Sequence, residues 1–144
     1  MYLLDTDVLS QIVRKSPPPS LLAKLAKTPA ELLFSTAINL AEIYFGAARS
    51  EHKDRIISVF EEKVFPTLTI LPFDSGSARV FGPMKAELEK RGAPRSEPDL
   101  RIAAIAIQHK FILVTGNERH FEGIPRLKLE NWIGRQLTGA ERRR

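Results

Sequence analysis

Short apolar runs alternate along this chain with longer stretches of helical period, which predicts an α/β fold with a parallel sheet covered by helices on both faces. Two further observations agree with it. One hundred and forty-four residues suit a single domain, and 43% hydrophobic with 27% charged residues describe a globular chain. Acidic and amide residues also recur just beyond the apolar runs, where α/β sheets place their ligand crevices.

The elements follow in order. A first strand is expected over residues 2–4, an apolar run ended by Asp5. A helix over 8–14 comes next, with Asp7 immediately ahead of Val8 as a good N-cap. Pro17, Pro18 and Pro19 separate it from a second helix over 20–27, because proline disfavours helix in the residue before it. A strand over 32–35 leads into helices over 38–49 and 53–63, and a third strand is expected at 68–71. A long helix over 75–91 precedes one over 98–109, which Ser96-Glu97-Pro98-Asp99 opens as a capping box. The fourth strand, 112–115, leaves through Gly116, a short helical turn follows near Arg119, and a strand over 126–129 raises the count from four to five.

The chain has no cysteine, which removes disulfides and thiolate metal sites together and favours a cytoplasmic location. Neither a secretory leader nor an apolar run of membrane-spanning length is read, so no membrane role is expected. A net charge of +5 suits a polyanionic partner. Much of the positive charge, in Arg135, Arg142, Arg143 and Arg144, falls in a basic tail over 135–144 that is expected to be flexible beyond a domain of residues 1–134. A frayed tail and a nucleic-acid surface explain that charge equally well.

Parallel strands carry their carboxyl ends on one side, and that edge collects Asp5, Glu42, Asp99 and Asn117. Asp99 shares a helical face with Ile102, Ala103 and Ala106, so beyond its capping role it points to the core side, where a carboxylate is costly without a cation. Glu42 lies between Ile38 and Phe45 with no Lys or Arg within a turn. Asp5 ends an apolar run with no local duty, whereas Asp54 and Asp74 read as surface and turn residues. Asn117 either caps the next turn or coordinates a metal or water. A carboxylate cluster with no cysteine and no histidine pair is the ligand set of a hard cation such as Mg²⁺ or Mn²⁺. His52 and His109 read as surface residues, His120 is given no catalytic role, and Arg101 and Arg119 read as solvated cations beside candidate ligands.

Five segments together resemble the PIN-domain ribonucleases, in particular the VapC toxins of bacterial toxin–antitoxin pairs. They are Leu3-Leu4-Asp5-Thr6-Asp7-Val8-Leu9-Ser10, Asn39-Leu40-Ala41-Glu42-Ile43-Tyr44-Phe45-Gly46, Asp99-Leu100-Arg101-Ile102-Ala103-Ala104, Leu113 to Phe121, and Leu129-Glu130-Asn131-Trp132. The resemblance implies an α/β/α sandwich around four or five parallel strands and an RNA-cutting activity. Asp5, Glu42 and Asp99 would hold Mg²⁺ or Mn²⁺, with Asn117 standing where many members carry a fourth acid. Asp7 stands where asparagine is common and would supply charge in partial compensation. The implied partners are RNA, a small antitoxin in the active-site groove, a second copy in a homodimer and, only through the antitoxin complex, operator DNA. Two other readings stay open. Asp5-Thr6-Asp7 after an apolar strand also opens the aspartyl phosphatases of the haloacid-dehalogenase type, although Val8-Leu9 replaces the glycine-threonine pair expected there. A non-catalytic PIN-like binding module is the other, with the missing fourth acid as its hint.

Overall fold

The computed structural model describes residues 1–134, and the basic tail lies outside the described residues. The elements are β1 (Tyr2–Leu4), α1 (Thr6–Ile12), α2 (Pro19–Lys27), β2 (Leu33–Thr36), α3 (Ala37–Ala48), α4 (Lys53–Val59), β3 (Thr69–Leu71), α5 (Ser75–Lys90), α6 (Glu97–His109), β4 (Ile112–Val114) and β5 (Lys128–Glu130). Every strand pairing is parallel, and the order β3-β2-β1-β4-β5 puts the first strand at the centre. The expected class and the fifth strand are both present.

Successive strand residues face opposite sides of a sheet, and the core divides accordingly. Leu3 and Leu113 belong to one apolar cluster with Leu88, Leu100 and Ile102, from α5 and α6. Their neighbours Leu4 and Val114 belong to a second, with Val8, Leu9, Leu21 and Ile43, from α1 to α3. The result is three layers, helices over sheet over helices. Leu3, Leu4 and Leu113 are fully buried, and burial of each contributes about 2 kcal/mol, so β1 and β4 anchor both layers at once.

Several boundaries differ from expectation, each for a local reason. The first helix starts at Thr6 because Asp5, not Asp7, is its N-cap: the Thr6 N–H donates to Asp5 Oδ1 at 2.9 Å. The expected helix over 53–63 divides, with α4 stopping at Val59 ahead of a π-helical turn over Phe60–Val64 and a 3₁₀ turn over Phe65–Thr67. Pro66 removes a helical N–H there, and the wider turn buries both Phe60 and Val64. β5 starts at Lys128, later than expected, since Arg126 adopts a left-handed φ of +69°, outside strand geometry. α5 runs unbroken through Pro83.

His109 corrects its surface assignment. It is half-buried against the Phe111 ring at 5.3 Å between centroids, and its Nε2 is buried without a hydrogen-bond partner. His52 is exposed and immediately precedes α4. Asp54 is exposed, and Asp74 caps α5 by accepting from the Ser77 N–H at 2.9 Å. Among the described residues no helix is long and apolar enough to cross a membrane.

Candidate active site

Asp5 is the hub of the carboxyl edge. Its N–H donates to Val114 O at 2.9 Å, extending the β1–β4 ladder by one step before the chain turns into α1. The side chain, 6% exposed, accepts three bonds: Oδ1 from the Thr6 N–H at 2.9 Å and from Asn39 Nδ2 at 3.0 Å, Oδ2 from the Thr115 hydroxyl at 2.8 Å. Burial nevertheless raises its pKa to about 6, with the nearby charge of Asp7 and, last, that of Glu42 adding to the rise against the opposing hydrogen bonds.

Asp7 sits in the first turn of α1 and fastens the exit of β4. Its Oδ2 accepts from the Gly116 N–H at 2.7 Å, and the Thr115 hydroxyl lies 3.5 Å from Oδ1. Burial raises this carboxyl too, opposed by the bonds from Gly116 and Val8. The fit at Gly116 is close: a Cβ there would stand 2.6 Å from Asp7 Oδ2 and 2.8 Å from Ile133 Cδ1.

Glu42 is aimed by a chain of small polar groups. Thr36 caps α3, its oxygen accepting from the Asn39 N–H at 3.2 Å while its hydroxyl donates to Asn39 Oδ1 at 2.6 Å. Asn39, fully buried, then donates to Asp5 and to Thr6 Oγ1 at 2.9 Å, and the Thr6 hydroxyl donates to Glu42 Oε1 at 2.9 Å. Glu42 is raised by burial, against the Thr6 bond, and by the charges of Asp99 and Asp7, with His120 acting in the opposite sense. No Lys or Arg pairs with Glu42 among the described residues.

Asp99 makes half of its capping box, its N–H donating to Ser96 Oγ at 3.3 Å. Its carboxylate instead meets His120 Nδ1 at 3.2 Å. Arg95 brings His120 there by donating to the carbonyls of His120 and Glu122, at 3.1 and 2.6 Å. Asn117 is exposed at the rim; its N–H donates to Thr115 Oγ1 at 3.0 Å, and its side chain does not cap the following turn. Arg101 points elsewhere, over the Phe73 and Phe81 rings and 3.5 Å from Glu97, and Arg119 is exposed.

The fold thus draws Asp5, Asp7, Glu42 and Asp99 to one edge with Asn117 at its rim. Thr6, Asn39 and Thr115 belong to the same network and were not singled out from sequence, and His120, given no catalytic role there, meets Asp99 at the same edge. The three-residue spacing of Thr36, the N-cap of α3, and of Asn39 and Glu42 within that helix was the available signal for Asn39. Among the described residues no three acidic or histidine side chains have closed into a cage around one point. The donors are nonetheless all oxygen, and three of the carboxyls are pushed up by burial, Asp5 and Glu42 also by neighbouring acidic charge, which a hard divalent cation would relieve.

Comparison with known proteins fits this geometry. The PIN domain family model matches residues 2–127. Ribonuclease VapC2 of Haemophilus influenzae is 37% identical over 132 residues, covering 92% of this chain and 98% of that protein. The tRNA(fMet)-specific endonuclease VapC of Shigella flexneri is 30% identical over 131 residues, covering 91% and 97%. Among solved structures, that of VapBC2 from Rickettsia felis bound to a DNA fragment from their promoter superposes with a TM-score of 0.83 at 32% identity, covering 91% of this chain and 98% of that one. The aspartyl-phosphatase reading gains no support from either the family match or the burial of Asp5, its required nucleophile. The chain belongs to the PIN domain family and stands within its VapC branch.

Proposed function

We propose that the chain is an endoribonuclease, the toxin of a toxin–antitoxin pair, that hydrolyses RNA phosphodiesters with Mg²⁺ or Mn²⁺ held by Asp5, Glu42 and Asp99, Asp7 and Asn117 assisting. The observation that carries this reading is Asp5, a carboxyl 6% exposed and pressed by the charges of Asp7 and Glu42, with no basic side chain bound to it among the described residues. When bound, a divalent ion acidifies water and offsets charge on the phosphate. The protein's own share is placement: Asn39 and Thr115 fix both Asp5 oxygens, Thr6 aims Glu42, and Asp7 holds the loop that presents Asn117. Relatives named as ribonucleases, one of them specific for tRNA(fMet), support RNA as substrate. Relatives solved as VapBC complexes support an antitoxin partner, and promoter DNA in one of them supports operator binding through that complex. A homodimer and a cytoplasmic location complete the proposal.

Purified protein freed of antitoxin should cut single-stranded or looped RNA in Mg²⁺ or Mn²⁺ and stop in EDTA, with Ca²⁺ supporting binding but little turnover. Its expression alone should arrest bacterial growth. Cleavage that persists in chelator would sink the metal-dependent mechanism, and arrest that survives Asp5→Asn with Glu42→Gln would separate toxicity from this site.

A further inference from the structure

We propose a second binding site, for a nucleotide unit read through its phosphate, at the amino ends of β4 and β5, on the opposite edge of the sheet from the carboxylates. A cavity of about 250 Å³ opens there, lined by Ala106, Ile107, Lys110, Phe111, Arg126 and Lys128. Lys110 and Arg126 are the only non-glycine residues with positive φ among the described residues, at +59° and +69°. A side chain with a Cβ is disfavoured in that conformation, which glycine adopts freely.

One left-handed residue is an ordinary way to end a helix, and Lys110 ends α6. Lys128 alone would be explained as a charge guarding an edge strand. Arg126 has an ordinary backbone cause as well, a turn in which the Leu127 N–H donates to Ile124 O at 3.3 Å with Pro125 in the second place; neither turn nor cap accounts for two left-handed positions on separate segments that both carry long cations to one cavity. Glycine would suit the backbone better at each; what lysine and arginine add is charge. All three cations are exposed at the cavity mouth, and none forms an ion pair among the described residues. The carbonyl end of α6 contributes roughly half a negative charge beside the cavity, which one ammonium offsets, leaving the other two cations with water alone around their charge.

The ligand is therefore an anion, and the apolar lining of Ala106, Ile107 and Phe111 selects one that also carries a flat, weakly polar part. A bare anion would leave that surface wet. At about 250 Å³ the cavity falls just under the usual small-ligand range, which starts near roughly 300 Å³, so it takes one nucleotide unit at most, with part of it outside, and not a stacked pair. Asp99 and Lys110 stand at the two ends of α6, about 16 Å apart at helical rise, which exceeds the screening length of about 8 Å in physiological salt. The two edges consequently act independently, and the site does not rest on the ribonuclease reading. A free mononucleotide and the phosphorylated end of an RNA present the same chemistry.

Calorimetric titration in EDTA, which removes divalent ions from the acidic edge, tests the site. AMP should bind wild type and Asp5→Asn alike, with adenosine and inorganic phosphate each at least tenfold weaker. Lys110→Gly and Arg126→Gly should each raise the melting temperature by relieving the left-handed strain, yet weaken AMP at least fivefold; Lys128→Glu should weaken it without that gain. A 5′-phosphorylated 2′-O-methyl trinucleotide that displaces AMP, while its unphosphorylated form does not, assigns the site to an RNA end, and failure of both to displace it assigns a free nucleotide. No AMP binding, binding unchanged in Arg126→Gly, adenosine binding as well as AMP, or loss of binding in Asp5→Asn would each overturn the proposal.

Discussion

Asp5 holds its proton more tightly in the folded protein, at about 6, than at its ordinary 3.8. The native state therefore binds more protons between about pH 4 and pH 6, and the stability of the metal-free protein falls as pH rises through that window. The difference amounts to at most about 3 kcal/mol. Asp5→Asn should flatten this dependence and raise the melting temperature at pH 7–8 in chelator. The amide can keep the network, its oxygen accepting from Thr6 and Asn39 and its NH₂ donating to Thr115, whose hydroxyl turns to Asp7. Melts of the two proteins from pH 4 to 8 that run parallel would refute the assignment. At the rim, Asn117→Asp should keep or increase RNA cleavage, while Asp5→Asn, Glu42→Gln and Asp99→Asn each lower it at least a hundredfold; a dead Asn117→Asp would show that the neutral amide is required. The three main acids stood out because Asp5 ends an apolar run, Glu42 lies on an apolar stretch without a basic neighbour, and Asp99 shares its helical face with Ile102, Ala103 and Ala106. The exchange of roles between Asp5 and Asp7 was not legible, since only the pairing of Asp5 N–H with Val114, from the far end of the chain, decides where β1 stops. The contact of His120 with Asp99 was not legible for a similar reason: Arg95 bends its loop toward Asp99.

Among the elements, α3 carries the most leverage, because one hydroxyl at its start both caps the helix and orients Asn39 beneath Asp5. Thr36→Val keeps the shape and removes both bonds. It should cost about 1–3 kcal/mol by thermal or urea unfolding and lower cleavage as well, although Thr36 is fully buried. Cleavage unchanged at the full stability loss would mean that Asn39 does not position the acids. Periodicity located α2, α3, α5 and α6 to within a residue or so, because their apolar faces are long enough to outvote the ends. It failed between Val59 and Thr67, where Pro66 and the burial of both Phe60 and Val64 widen one turn and tighten the next. Such local irregularity leaves no mark on a 3.6-residue period.

For the whole molecule, a cation bound only by the folded state should stabilise it by mass action, about 2.7 kcal/mol at a hundredfold excess over its dissociation constant. Millimolar Mg²⁺ should accordingly raise the melting temperature of wild type and do much less for Asp99→Asn; equal shifts in both would place the ion elsewhere. The α/β class, the parallel sheet and its two covered faces were all legible from alternating apolar runs. The strand order was not, because β1 is the first strand made yet pairs with β4, Tyr2 lying opposite Ile112. That order has a bearing on synthesis. A ribosome releases Asp5 almost at once, but the backbone and hydroxyl that complete its setting belong to Val114 and Thr115. Closing so long a loop must wait until nearly the entire domain has emerged. A nascent or prematurely stopped chain lacking β4 has no assembled carboxylate edge, so under the proposed function a cell making this protein would meet the nuclease only after translation of the domain is essentially finished.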